Sequence, residues 1–586
     1  MGKSRDDFQQ PAPAMEPLDE EIVFWNHKKE FALLLALCSQ YFCQMLFIVG
    51  AGVYARSIAA VVGGEAIDSW SVSLLDAKPA TAINILTAAT IPPIARAADL
   101  WGRKWFLVVP TSLGFVGSII VSRASSMEIA ILGFVLGGAS FGAQPLVHAV
   151  ASETMPRKYR SFAQGACNAA IACGSLFSLL VGGALTNNNP EGFRTYWYIC
   201  AAIYALSTLM LATLYNPPPR ELQLTLTFGE KIRSLDWIGF FLYIAGLVLF
   251  CLGLSYSQNP FNWPDAHILA PFLIGVVFIL ILIGYEWKIK KDGLFHHGLF
   301  QNRNFPIALV AVFIEGYIFM SANIYFPYAM EIVVTGISTF RVLVCYSIAF
   351  ICLLAMSFLI GAYIYRTKTV RPTAIFSNVA FLIYAALMAS VTASTTESRF
   401  WGYVTFYGSG LGCGVITLYT TAQLSTPPEL IAVTSGLMGS IRSTGGAVAV
   451  AIYGGLFSQG LTKNLFPKVA KAVIPLGVAE ETIGPLIADL SAGATEAALK
   501  LPGVTLQVLE AAGGALKSAY VIGFRDVYIC ACAFAALGIA ATIFLKDPKQ
   551  EFNAKIDAPL DRIEVKTVDE EMTGQAKHVE ATTLEA

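Results

Sequence analysis

Long apolar runs recur along almost the whole chain and restrict its fold more than any other feature. Each run approaches the length of about 20 residues that a helix needs to cross a bilayer core. Only 13% of the 586 residues are charged, against about 25% in soluble domains, so a soluble protein of this composition could not cover its surface. The sequence therefore predicts an all-α polytopic membrane protein with fourteen transmembrane helices. The runs cover residues 31–55, 80–98, 105–123, 127–151, 162–185, 196–215, 236–256, 267–287, 306–330, 340–365, 372–392, 400–424, 430–457 and 521–545.

Basic residues in the loops between these runs sort to one side. Because cytoplasmic loops are enriched in Lys and Arg, the asymmetry places both termini in the cytoplasm. We expect a multi-pass protein of the cell membrane, and a vacuolar membrane fits the same pattern. The 39 basic and 40 acidic residues nearly cancel, so no strong field favours nucleic acid as a partner. The basic side holds Arg103, Lys104, Arg157, Lys158, Arg160, Arg220, Lys231, Arg233, Lys288, Lys290, Lys291, Arg303, Arg366, Lys368 and Arg371, and the opposite short loops hold Arg56, Lys78, Arg123, Arg194, Arg341 and Arg399.

Three stretches lie outside the predicted membrane helices. Residues 1–30 form a polar, proline-interrupted cytoplasmic arm without the pattern of a cleaved signal peptide. Residues 458–520 form a long extracellular loop, whose spaced apolar residues predict short amphipathic helices. Residues 546–586 are charged and contain proline, so we predict a disordered cytoplasmic tail.

The patterns that catalysis or metal binding would need are missing from the sequence. All eleven cysteines lie in apolar runs, and only Cys530-x-Cys532 has a spacing like that of metal ligands, without a matching Cys/His pair. There is no His box, nucleophile elbow or phosphate-binding loop. These observations argue against an enzyme, a metal site, a bound cofactor and an ATP-driven pump. A receptor would need a signalling domain larger than the tail at 546–586.

The segment between the second and third runs, residues 95–104 (ARAADLWGRK), carries the most informative motif. A short loop between helices needs Gly102 for an unusual backbone angle, and Asp99 can pair with a neighbouring helix as a latch. The segment resembles the loop signature of the major facilitator superfamily, G-x-x-x-D-R/K-x-G-R-R/K, although the leading glycine and the basic residue after the aspartate are replaced. Arg96 is expected to pair or to extend toward the interface. The resemblance implies a coupling or gating role for Arg96, Asp99, Gly102, Arg103 and Lys104.

The fifth run has glycines at a spacing that lets helices approach closely, at Gly165, Gly174 and Gly182. Drug-extruding members of the superfamily have G-x8-G-x3-G-P-x2-G here, and Ser178 and Leu179 replace the Gly-Pro pair. The segments YNPPPR (215–220) and LDWIG (235–239) resemble the 14-span drug:proton antiporter branch. The whole layout is similar to that of the fungal trichothecene-efflux and siderophore-transporter group.

This resemblance implies a specific architecture. Two six-helix halves, 31–215 and 306–545, would flank a central cavity, with two linker helices inserted at 236–287. The halves would rock so that the cavity opens to each side in turn. The resemblance also implies a small-molecule substrate, a monomer in the lipid bilayer and a proton gradient as the energy source.

Few ionisable residues lie inside the predicted helices, where each one is costly and is a candidate functional group. Glu315 lies near the middle of the ninth run, where an unpaired carboxylate could take up and release protons; a static hydrogen bond to another helix is the alternative. His148 could relay protons or be a satisfied packing residue. For Arg442 we expect a helix-packing or gating ion pair rather than contact with substrate.

Uncharged polar and aromatic side chains in the runs predict the wall of a substrate cavity suited to a large amphipathic ligand. We predict proton-driven export of a fungal secondary metabolite, toxin or xenobiotic. The alternative is uptake of iron-loaded siderophore by proton symport, because the sequence does not fix the direction. The candidate lining residues are Gln44, Asn84, Gln144, Asn168, Asn323, Tyr325 and Gln423.

Overall fold

The computed structural model describes residues 28–62, 78–186, 189, 191–218, 221–256, 265–290, 293–491, 495–553 and 555–557, and this part of the chain contains helices and no strand. Every predicted apolar run coincides with a long helix. We number these helices α1 to α14. They are α1 Lys28–Val62, α2 Lys78–Trp101, α3 Arg103–Ser122, α4 Met127–Glu153, α5 Arg160–Thr186, α6 Gly192–Leu214, α7 Trp237–Tyr256, α8 Ala266–Lys288, α9 Asn304–Val333, α10 Thr339–Thr367, α11 Arg371–Ala389, α12 Glu397–Leu424, α13 Ile431–Val473 and α14 Leu506–Thr542.

Eleven helices in the described residues are long and apolar enough to cross a membrane. The other three long helices, α2, α12 and α13, are more polar, and the exact number of spans therefore stays a prediction. Most of α12 from Gly408 onward is buried inside the bundle. A helix surrounded by other helices needs less apolar surface than one that faces lipid, which explains why these three fall short by composition alone.

The helices pack as two halves with an apolar core each. Helices α1, α3, α4, α5 and α6 share one core, and α9 to α14 share the other. The halves meet along two seams, where α5 packs on α10 and α2 packs on α13. Helix α2 packs on α13 and adds Ala98 to the first core, so the division into two six-helix halves stays a prediction.

The two linker helices lie at one side of this body. Helices α7 and α8 pack on each other, and α7 contacts both α2 and α13. The Tyr243 hydroxyl of α7 is 2.8 Å from Ser440 Oγ and 2.7 Å from Thr444 Oγ1, both on α13. Helix α8 instead exposes a long row of apolar side chains. The pair therefore lies against the α2–α13 seam, and α8 presents its outer face to lipid.

Two of the spanning helices are interrupted near their middle. A 3-10 turn at Ala139–Ala143 divides α4, and a π-helical turn at Ser321–Tyr325 divides α9 just before Pro327. Proline has no backbone N–H to continue the helical ladder, and π turns are frequent at functional sites. Both interruptions lie close to the polar side chains described below.

The segments outside the predicted runs are more ordered than expected. Helix α13 has 43 residues and α14 has 37, so at about 1.5 Å per residue both extend well beyond a bilayer core. Between them lie the short helices Glu480–Ser491 and Thr495–Ala498, which pack with the ends of α13 and α14 around a small core of their own. The expected short helices at 458–520 are present, but this segment also holds helical extensions that the sequence did not predict.

The prediction of a disordered tail from residue 546 is wrong for its first part. Residues 546–553 and 555–557 pack on the body, and Phe552 is only 4% exposed. The rest of the tail and residues 1–27 of the predicted arm lie outside the described residues.

Candidate functional site: a buried ion pair at the centre of the bundle

Glu315 on α9 and Arg442 on α13 form a bidentate ion pair in the interior. The Nε atom of Arg442 donates to Glu315 Oε2 at 2.7 Å, and its Nη2 atom donates to Oε1 at 2.8 Å. The Glu315 side chain is 2% exposed and that of Arg442 is 24% exposed. Glu315 lies eleven residues into α9, which is about 16 Å along the helix and near the centre of a bilayer. The structure thus pairs Glu315 with Arg442, two charges that the sequence analysis considered separately.

Of the two alternatives for Glu315, the structure shows the bond to another helix, and close packing of two helices explains it. A Cβ atom on Gly316 would lie 2.0 Å from the carbonyl oxygen of Arg442, and one on Gly445 would lie 2.2 Å from that of Phe313. These two glycines let the backbones of α9 and α13 approach each other closely. The short separation brings the guanidinium onto the carboxylate. The expected ion pair of Arg442 is confirmed, with Glu315 as its partner.

Aromatic side chains surround the charged pair. The guanidinium of Arg442 lies 4.9 Å from the centroid of the Phe319 ring, at cation–π distance. It also interacts electrostatically with the hydroxyls of Tyr41 on α1 and Tyr419 on α12. Since α1 belongs to one half and α9, α12 and α13 belong to the other, Arg442 lies where the two halves face each other.

His148 continues the polar site into α4. Its Nε2 atom is 2.8 Å from the Tyr41 hydroxyl, and its ring stacks on Tyr419 with 4.2 Å between centroids. Its Nδ1 atom is hydrogen-bonded to Gln164 Oε1 on α5. Both ring nitrogens are therefore engaged, as in the packing interpretation, yet the ring also contacts the aromatic shell of the ion pair.

Gln423 on α12 links the two halves by hydrogen bonds. It accepts a bond from Ser152 Oγ at 2.5 Å and donates to the His148 carbonyl oxygen at 3.2 Å, both on α4. It also donates to Ser435 on α13 at 2.9 Å and accepts from Gln164 on α5 at 3.2 Å. Gln423 is fully buried. It was predicted as a substrate contact, but it is part of an inter-half hydrogen-bond network.

The other predicted lining residues fall into two groups. Asn168 is also fully buried, and its Nδ2 atom donates to Ser357 Oγ of α10 and to the Gly412 carbonyl oxygen of α12, both at 3.1 Å. It thus joins helices of the two halves, while its Oδ1 atom has no hydrogen-bond partner among the described residues. Asn323 lies in the π turn and accepts a bond from the Tyr346 hydroxyl at 2.9 Å. The Asn84 side chain lies outside the described residues.

The remaining candidates keep polar capacity for a ligand. Gln144 is half-buried and hydrogen-bonded to Tyr41. Gln44 donates to the Ser140 carbonyl oxygen at 2.9 Å, while its Oε1 atom has no hydrogen-bond partner among the described residues. The buried Tyr325 hydroxyl also has no hydrogen-bond partner among the described residues. The same is true of the amide nitrogen and oxygen of Gln40, which is buried as well. Buried polar atoms without a protein partner are candidates to bind substrate.

The loop motif between α2 and α3 forms a second, peripheral charge cluster. Arg103 donates to Asp99 Oδ1 at 2.8 Å and also pairs with Glu153 at the end of α4, and all three side chains are at most 4% exposed. Gly102 has φ of +100°, which confirms the unusual backbone angle expected there. Lys104 donates to Asn216 beyond α6 at 2.5 Å. All these residues belong to the first half, so the cluster ties α2, α3, α4 and α6 together.

Arg96 lies apart from that cluster. It is half-buried in a small cleft on the α2–α13 seam, together with Asp236 at the start of α7. Glu153 was not predicted as part of the motif, although an acidic residue at the end of an apolar run, close to the basic loop at 157–160, is a usable signal.

The predicted packing glycines are at close contacts of α5. A Cβ on Gly165 would be 3.0 Å from the Ser357 carbonyl oxygen of α10, and one on Gly174 would be 2.6 Å from the Phe42 carbonyl oxygen of α1. On Gly182 it would be 3.2 Å from the Tyr54 hydroxyl. Helix α5 therefore packs closely on both halves.

The described residues contain no group of three or more His, Cys, Asp or Glu side chains placed to hold a metal ion.

A sequence model of the Major Facilitator Superfamily matches residues 33–450. The chain belongs to this superfamily. It is a multi-pass membrane protein that transports small molecules as a secondary transporter, and it is not an enzyme.

The curated relatives are fungal transporters of the superfamily. The chain is 25% identical to the MFS-type transporter prx5 of Penicillium rubens over 75% of this chain and 80% of the relative. It is 22% identical to the MFS-type efflux transporter ffsH of Aspergillus flavipes over 82% of each. It is 25% identical to the efflux pump dotC of Dothistroma septosporum over 78% of this chain and 75% of that pump.

Solved structures share the fold at low identity. The human organic anion transporter MFSD10 aligns with a TM-score of 0.53 and 10% identity, over 88% of this chain and 99% of that one. A double tryptophan mutant of XylE aligns with a TM-score of 0.50 and 12% identity, over 90% and 98%. These alignments show the major facilitator fold alone.

Proposed function

We propose that this transporter exports an amphipathic small molecule from the cytoplasm of a fungal cell, as a monomer, in exchange for protons. Fungal relatives that are named as efflux transporters or pumps support the direction. The basic loops support a cytoplasmic location of both termini.

The Glu315–Arg442 pair is the observation that carries the proposal. A proton on Glu315 would remove its charge, and Arg442 would then lose its counter-ion. Protonation and the ion pair therefore exclude each other, which is the property that a proton-coupled switch needs. Because the two residues lie on different helices of one half, a change in their pairing can alter how α9 and α13 pack. Tyr41 of the opposite half lies close enough to Arg442 to sense its charge, so that change can act on the interface between the halves.

The chemistry around the pair favours an amphipathic substrate. Phe319, Tyr41 and Tyr419 supply apolar ring surface beside a cation. Gln40 and Gln44 on α1 supply buried amide groups with free hydrogen-bonding capacity among the described residues. Such a combination of aromatic walls and a few polar groups is typical of small-molecule sites.

Cells that lack the gene test the direction. They should retain more of a labelled amphipathic toxin than wild-type cells, and take up a labelled ferric siderophore at the wild-type rate. Re-expression of the wild-type chain should restore low toxin content, whereas Glu315→Gln should not. Glu331→Gln, near the outer end of the same helix, is the matched control and should restore export. Loss of siderophore uptake with unchanged toxin content would instead establish the uptake alternative.

A further inference from the structure

Residues 547–553 and 555–557, at the start of the C-terminal tail, contact both halves on the side of the basic loops; we call them the strap. Its first residue is fixed to the second half. Asp547 Oδ1 accepts the backbone N–H groups of Val370 at 2.7 Å and Arg371 at 2.9 Å. The strap thus caps the first turn of α11, where backbone donors lack partners within the helix.

An apolar anchor follows five residues later. Phe552 is buried in a cluster with side chains of α10, α11 and α12 or their adjoining loops. Together with the Asp547 cap, this contact fixes the first part of the strap to the second half. The remaining residues of that cluster are Ile360, Ile364, Val370, Cys413, Ile416 and Leu424.

The strap then bonds to the first half through its backbone. The N–H of Lys158 donates to the Asn553 carbonyl oxygen at 2.9 Å, and the N–H of Arg157 donates to that of Lys555 at 3.0 Å. Both donors belong to the short turn Arg157–Tyr159 between α4 and α5. Two successive backbone bonds give this contact a defined register.

Charges complete the contact with the first half. Asp557 accepts from Arg157 Nη2 at 3.0 Å and pairs with Arg160, and the side chains of Asp557 and Arg160 are both 1% exposed. Glu551 accepts from Arg157 Nη1 at 2.5 Å. Arg160 also donates to the Gln423 carbonyl oxygen of the second half at 3.0 Å. A buried guanidinium needs a counter-charge, and the strap provides one at the point where the halves meet.

We propose that the strap is an autoinhibitory latch, which holds the cytoplasmic ends of the halves together until Asp557 leaves Arg157 and Arg160. The first part of the strap moves with the second half, and its last part is bound to the first half. Opening of the bundle on this side therefore breaks the Asp557 contacts or strips Phe552 from its cluster. The latch slows the opening step in the resting protein, and release of the tail speeds it. This regulation adds to the proposed export and does not depend on the transported molecule.

Amide hydrogen exchange on the full-length protein tests the latch without any substrate. In Asp557→Asn, loss of the charged contact should raise exchange about tenfold at Arg157 and Lys158, whose N–H groups the strap protects. It should also raise exchange at the ends of α4 and α5. Lys549→Gln, a change of charge elsewhere in the strap, is the control and should leave exchange unchanged. Unchanged exchange in Asp557→Asn would overturn the proposal.

A disulfide bond that fixes the strap to the first half tests whether transport requires the strap to be released. Asn553→Cys with Lys158→Cys places two thiols across the paired backbones, and oxidation should stop transport of the labelled toxin until a reductant restores it. Each single variant, oxidised in the same way, is the control. Wild-type transport by the locked protein would overturn the proposal. A lower thermal stability of Asp557→Asn without faster transport would also overturn it, because the strap would then be a structural brace only.

Discussion

Two buried charge clusters of this transporter, the central ion pair and the Arg103 cluster, differ in composition, exposure and position. At the centre, one carboxylate, Glu315, meets one guanidinium, Arg442, which keeps 24% of its side chain exposed. At the loop between α2 and α3, a single guanidinium, Arg103, meets two carboxylates, and all three side chains are at most 4% exposed. The central pair is within reach of water and of the opposite half. The loop cluster is sealed and lies within one half.

This difference favours a role in proton coupling for the central pair and a structural role for the loop cluster. A proton can neutralise the single carboxylate of the central pair, and the two partners then separate. In the loop cluster, a second carboxylate remains after one is lost, so Arg103 stays bound. We infer that the central pair changes during transport and that the loop cluster holds the ends of α2, α3 and α4 in place. Of the two clusters, only the central one is suited to switch.

Removal of Arg103 should have the largest effect on stability. Arg103→Ala leaves Asp99 and Glu153 buried next to each other without their shared counter-charge, which should lower the free energy of unfolding by about 3 to 5 kcal/mol. Thermal unfolding of the purified protein in detergent measures the change. Lys104→Ala, next to it but only half-buried, should stay within about 0.5 kcal/mol of wild type. Equal effects of the two variants would show that the cluster gives no special support.

Removal of Arg442 should affect transport more than stability. Arg442→Gln should reduce proton-driven transport at least about tenfold, since the switch loses one partner. Its unfolding temperature should fall less than that of Arg103→Ala, because Glu315 can take up a proton and lose its charge. Transport rates and unfolding temperatures of both variants, measured on the same preparations, check the contrast. A larger loss of stability for Arg442→Gln would reverse the assigned roles.

Pushing α9 away from α13 should show whether the close packing of these helices holds the Glu315–Arg442 ion pair together. A Cβ atom on Gly316 would lie 2.0 Å from a backbone oxygen of α13, so Gly316→Ala should cost about 1 to 3 kcal/mol of stability. Transport should fall as the ion pair is pulled apart. Gly402→Ala in α12 is the matched control, because a Cβ there meets nothing within 4 Å. It should be neutral or slightly stabilising, and a similar loss in both variants would count against the packing argument.

The smallest effect is expected from the hydrogen-bond network between the halves. Gln423→Leu removes bonds to α4, α5 and α13 and should cost about 1 to 2 kcal/mol. Because the lost bonds join the halves, the variant should also favour separation of their ends on the side of the basic loops. Hydrogen exchange in α4 and thermal unfolding together test this. Unchanged exchange with lower stability would assign Gln423 to packing alone.

The sequence predicted the helices better than the contacts between them. Apolar runs located every long helix, because the bilayer imposes a length and a composition that each segment shows by itself. The charge of Glu315 stood out for the same reason. Its partner lies 127 residues away, and only the close approach at Gly316 and Gly445 reveals the pair. The positions of Glu315 and Arg442, each well inside an apolar run of the second half, could nevertheless have suggested it.

The strap is a segment whose structure the sequence failed to predict. Its charged composition predicted disorder, since composition does not show which surface a segment binds. Asp557 is paired with Arg160, 397 residues earlier in the chain, and local pattern carries no trace of that contact. The sequence analysis used Arg157 and Arg160 only to orient the loops relative to the membrane. The structure shows that both residues also form specific ion pairs.

Proton flux by the purified transporter tests the central claim most directly. In proteoliposomes loaded with the labelled toxin, a pH gradient should drive toxin movement by the wild-type protein, with protons moving the opposite way. Glu315→Gln should lose both the gradient-driven movement and the proton flux, while it still exchanges labelled for unlabelled toxin across the membrane. Such exchange shows that the variant is folded and binds substrate. Wild-type proton flux and pH dependence in Glu315→Gln would contradict the assignment of Glu315 as the proton carrier.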